Sequence, residues 1–106
     1  MRLSKQQEIR ATNELLAMLA EDLEWGGGHG LRTSEMRETP RFHGQNALSL
    51  KQIARLLRKT GKVVAKLGGS KRFSYNLWNL TDEAWEEALI NPASLSEGQD
   101  PRREMW

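Results

Sequence analysis

Residues 49–80 read SLKQIARLLRKTGKVVAKLGGSKRFSYNLWNL, and the stretch changes character at Gly61. Before it, Ser49 stands three residues ahead of Gln52, the spacing of a capping box that satisfies backbone groups left open by a first helical turn. Gly61 stands where a helix stops in the left-handed conformation, so a helix is expected over 49–60. At about 100° per residue, Leu50, Ile53, Ala54 and Leu57 share one face. Lys51, Arg55 and Arg58, continued by Lys62 just past the stop, fall within a narrow arc elsewhere, with Lys59 at its margin. One face is built to pack and the other is available to phosphate.

After Gly61 the period shortens. Lys62 to Leu67 has the β-branched residues Val63 and Val64, Gly68-Gly69-Ser70 is a turn signal, and apolar Phe73, Tyr75 and Leu77 alternate with polar neighbours. A β-hairpin over 62–80 follows, with Lys66, Lys71 and Arg72 at its tip beside glycines that let a partner approach the backbone. Phe73 and Tyr75 either pack on the last helix or present a ring to an unstacked base, and packing is the simpler reading. Trp78 and Trp85 lie in apolar-periodic segments and are assigned to the core.

Outward from this stretch, Ser4 and Gln7 form a second capping box, and a long helix is expected over 4–25. Its stripe holds Ile9, Leu15, Leu16, Leu19 and Leu23, with Trp25 as a lid and Glu14, Glu21, Asp22 and Glu24 on the wet side. Gly26-Gly27-Gly28 ends it, and with His29-Gly30 forms a flexible turn without the spacing of a phosphate loop. Thr33 or Ser34 caps a short helix over 33–39, which Pro40 closes. Residues 41–47 are turn-like, with Phe42 plugging the core. Thr81 caps a last helix over 81–90, whose Trp85, Ala88 and Leu89 face inward. The tail 91–106 is poor in apolar residues and is expected to be disordered, with Met105-Trp106 able to dock.

The chain has 106 residues, the size of one domain, and no cysteine, so it has neither a disulfide framework nor a thiolate metal site. Two histidines argue against a histidine-built metal site, and no spacing places His43, Ser49 and an acid in a catalytic arrangement, so no enzymatic activity, cofactor or metal is expected. No apolar run is long enough for a bilayer and residues 1–7 lack a signal-peptide core, which suggests a cytoplasmic protein without membrane contact. The net charge of +2 hides a strong segregation. From Thr39 to Thr81 there is no acid and nine bases, whereas the remainder holds seven bases and fourteen acids. A basic face on an acidic body suits a polyanion, because each neutralised phosphate releases counterions.

The expected order is helix, short helix, basic helix, hairpin, helix, a mainly α fold with a β-hairpin wing (α+β). This is the order of a winged helix-turn-helix, whose third helix enters the major groove while the wing lies on the backbone. The runs Leu31 to Met36, Leu48 to Arg58 and Gly68 to Tyr75 resemble the winged-helix module at the C-terminal end of phage- and plasmid-type primase-helicases, across about residues 11 to 90. The resemblance implies a small DNA-binding protein of a phage or other mobile element, acting as a regulator or replication accessory. The expected nucleic-acid contacts are Arg41, Lys51, Arg55, Arg58, Lys59, Lys62, Lys66, Lys71 and Arg72, with duplex DNA as partner and a homodimer through the N-terminal helix as one way to gain affinity. The alternative is an interaction module whose basic face docks an acidic protein such as a polymerase, helicase or host defence complex.

Overall fold

The computed structural model describes residues 3–39, 42, 47–69, 72 and 74–95. Helix α1 (Lys5–Trp25) starts as the sequence predicts: the Ser4 hydroxyl accepts from the Gln7 N–H at 3.2 Å and the Gln7 side chain accepts from the Ser4 N–H at 2.8 Å. Its stripe of Ala11, Thr12, Leu15, Leu16, Met18 and Leu19 is buried. Trp25 is no lid over the described residues: it is 85% exposed at the last position of the helix. The glycine turn that follows is hydrogen-bonded. The Asp22 carbonyl accepts from Gly26 and Gly28, and its carboxylate accepts from the Gly30 N–H at 2.9 Å, so Asp22 organises the turn instead of merely facing water.

Strand β1 (Leu31–Arg32), too short for its alternation to be read in the sequence, pairs antiparallel with the later hairpin. Helix α2 (Thr33–Arg37) follows directly and is shorter than the expected 33–39. Thr33 does not cap it; its hydroxyl accepts from the Trp78 indole N–H at 2.8 Å, which fastens α2 to the sheet. The Glu35 carboxylate instead accepts from the Arg32 N–H at 3.1 Å. Phe42 is buried in the connection, as expected.

Helix α3 (Leu50–Thr60) carries the Ser49–Gln52 capping box at one end and Gly61, at φ 67°, at the other. The hairpin has strands β2 (Val63–Gly69) and β3 (Ser74–Leu80), with Gly69 opposite Ser74, and the antiparallel sheet runs β1-β3-β2. One expectation changes here: Gly68 and Gly69 belong to β2 and not to the turn. Trp78 lies in the core as expected, together with Leu80. Phe73 lies outside the described residues, while Tyr75 and Leu77 are half-buried on the other face.

Helix α4 (Asp82–Ile90) begins with the Thr81 hydroxyl accepting from the Ala84 N–H at 3.1 Å. It buries Ala84 and Ala88, with Trp85 half-buried; Leu89, expected inside, is 63% exposed because Ala84 and Ala88 mark the inward arc. Within the segment expected as a tail, the chain makes a 3-10 turn at Pro92–Leu95, and Leu95 packs on the core. The remainder of that tail, including Met105-Trp106, lies outside the described residues. One core joins α1, α2, α3, β3 and α4 around Trp78, Leu15, Leu16, Leu19, Met36, Ile53, Leu56 and Leu57. Each such side chain contributes about 1.5–3 kcal/mol by leaving water. The result is a mixed α+β fold with four α-helices and a three-stranded antiparallel sheet among the described residues. None of the described helices is long and apolar enough to cross a membrane.

Candidate functional site

The caps of α3 set its phase, and the phase sorts its side chains. Ile53, Leu56 and Leu57 turn into the core, which leaves Lys51, Arg55, Arg58 and Lys59 exposed on the outward side. These four cations surround Ala54 and line a shallow depression of about 420 Å³. The expected apolar face is therefore rotated slightly. Leu50 is 42% exposed and Ala54 is half-buried at the floor of the depression, while Leu56 takes a full place in the core. Arg58 and Lys59 in the last turn also complement the negative end of the helix dipole.

The four cations have different neighbours. Glu8 of α1 reaches across and contacts two of them, Oε1 lying 3.7 Å from the Arg55 guanidinium and Oε2 4.0 Å from Lys59 Nζ. Arg58 lies on the sheet side, its guanidinium carbon 5.7 Å from the centre of the Trp78 ring. No carboxylate pairs with Lys51 or Arg58 among the described residues. The Glu8 pairs are long and their cations exposed, so each contributes about 0–1 kcal/mol to stability.

Among the described residues, the other expected site residues, Lys62, Lys66 and Arg72, do not line this depression. Lys62 is half-buried and its Nζ donates to the Ser94 carbonyl at 2.7 Å, which ties it to the 3-10 turn. Lys66 sits within β2 opposite Leu77, not at the hairpin tip, and strand alternation points it to the face of the sheet opposite Trp78. Arg72 is exposed in the loop between β2 and β3. Arg41 and Lys71 lie outside the described residues. The Ser49 hydroxyl accepts from the Gln52 N–H in its cap at 3.1 Å, and His43 lies outside the described residues.

Two features had no local signal. Glu8 is remote in sequence from Arg55 and Lys59 and meets them only through the packing of α1 on α3. On the outer face of the sheet, the Arg32 guanidinium lies 3.8 Å from the centre of the Tyr75 ring, which itself covers Gly68 so closely that a Cβ there would come within 2.6 Å of it. Tyr75 is thus a packed ring rather than an open platform. No protein-family model matches this chain, and no curated protein or solved structure matches it at a significant level.

Proposed function

We propose that this chain is a winged helix-turn-helix protein that binds duplex DNA through α3, in the service of a phage or other mobile element as a regulator or replication accessory. The order α1-β1-α2-α3-β2-β3 with the sheet order β1-β3-β2 supports the fold reading, with α3 as recognition helix and the β2–β3 hairpin as wing. The observation that carries the function is the cationic outward face of α3, where Lys51, Arg55, Arg58 and Lys59 stand together over a depression. A helix fits the major groove, and Lys and Arg on its outer side reach phosphates and guanine edges. Arg72 in the hairpin loop adds a backbone contact at one end. Cytoplasmic location follows from this reading.

A second reading has its own observation: a carboxylate, that of Glu8, already sits against Arg55 and Lys59, so the same face suits an acidic protein surface. The homodimer loses some of its motive, since the apolar stripe of α1 is spent on the core and, Trp25 apart, the exposed positions of that helix are polar. Titration with random duplex in the presence and absence of heparin separates the readings. Salt-sensitive binding that heparin competes supports DNA; no duplex binding at low salt leaves the acidic protein.

A further inference from the structure

We infer that Glu8 is a built-in counter-anion of the α3 face, seated where a nucleic-acid phosphate would stand against Arg55 and Lys59 and holding the affinity of that face below what its four cations would reach. The inference rests on the DNA-binding reading above. The two Glu8 oxygens go to two different cations, Oε1 to Arg55 at 3.7 Å and Oε2 to Lys59 at 4.0 Å, the way two phosphate oxygens would bridge them. The carboxylate side chain is 28% exposed against 56% and 61% for its partners, so it is the inner member of the cluster.

The backbone from which it departs is anchored. Glu8 lies in the first turn of α1, its N–H donates to the Ser4 carbonyl at 2.9 Å, and the next turns are anchored in the core through Ala11, Thr12 and Leu15. Arg55 and Lys59 have the longer and more exposed side chains, whereas Glu8 departs from a backbone anchored in the core. A phosphate that takes Arg55 or Lys59 must therefore displace their ion pair and remain near the carboxylate, whose like charge repels it. Lys51 and Arg58, which pair with no carboxylate among the described residues, accept phosphate without that competition. The nucleic acid is thereby steered to the sheet side of α3 and away from the start of α1.

The test compares wild type with Glu8→Gln by fluorescence anisotropy on a random-sequence duplex across a salt series, with thermal unfolding of each protein. Glu8→Gln is expected to bind about three- to tenfold more tightly at low salt, with a log–log salt slope steeper by about 1–2 as Arg55 and Lys59 join the phosphate contacts. In a cycle with Lys59→Ala that gain shrinks, which ties it to the pair and not to a general loss of negative charge. A gain of the same size in the Lys59→Ala and Arg55→Ala backgrounds overturns the assignment. Wild type that binds duplex while Glu8→Gln shows the same affinity and slope overturns the counter-anion alone. Failure of both proteins to bind at low salt overturns the DNA-binding reading and this inference with it.

Discussion

Helices α3 and α4 are built by the same local rules and end up opposite in character. Each opens on a hydroxyl cap, Ser49 or Thr81. Each turns one arc inward, but α3 fills the core with Ile53, Leu56 and Leu57, whereas α4 approaches it closely through Ala84 and Ala88. Outward, α3 shows Lys51, Arg55, Arg58 and Lys59, while α4 shows Asp82, Glu83, Glu86 and Glu87. The acids at the start of α4 and the bases at the end of α3 both complement their helix dipoles. Local stability thus explains charge at one end of each helix, but not Lys51 and Arg55, which extend the basic face toward the start of α3. The difference teaches that α3 is a platform anchored by large core side chains with a charge that local stability does not require, and α4 is a cover anchored by two alanines with acids on its outward side.

The comparison breaks most visibly at the core. Leu57→Ala beneath α3 should cost about 2–5 kcal/mol in denaturant unfolding, because a fully buried side chain leaves a cavity. Ala88→Gly beneath α4 should cost about 1 kcal/mol, the helix-propensity difference, since no large side chain is removed. A smaller loss at Leu57 than at Ala88 would remove the platform from the account. On the outward faces, Arg58→Ala should weaken duplex binding by about 1–3 kcal/mol with unchanged unfolding, and Arg55→Ala by less, because Glu8 already engages Arg55. Glu86→Ala on α4 should leave binding unchanged or slightly tighter. Gel-shift affinities in the reverse order would mean that α3 is not the binding helix.

Smaller effects sharpen the picture. Ser49→Ala and Thr81→Ala should each cost about 1 kcal/mol, as losses of a capping acceptor do, measured by the shift in unfolding midpoint. Trp25→Ala should change stability by no more than about 0.5 kcal/mol, as expected for a surface position, and a large loss would restore the ring as a lid.

What was legible in the sequence is what local chemistry determines. Ser4, Ser49, Thr81 and Gly61 announce helix ends through backbone groups within a few residues, and each cap is found where its residues place it. The face of β3 was not legible, because Tyr75 and Leu77 on one parity and Trp78 and Leu80 on the other are all apolar; only the packing of α1, α2 and α3 decides which parity is inside. β1 has two residues, below the length at which alternation carries information, and it forms because β3 offers it an edge. The α3 cations of the candidate site followed from helical phase. Lys62 and Glu8 did not, since their contacts with Ser94 and with Arg55 and Lys59 join segments far apart along the chain.

The most direct measurement is fluorescence anisotropy of the wild-type protein on random duplex DNA across a salt series. Binding by α3 with the hairpin loop predicts a linear fall of log affinity with log salt and a slope of about −2 to −4, from two to four phosphate contacts at about 0.9 each. Absence of binding at low salt, or an affinity indifferent to salt, would contradict it and leave the basic face to an acidic protein partner.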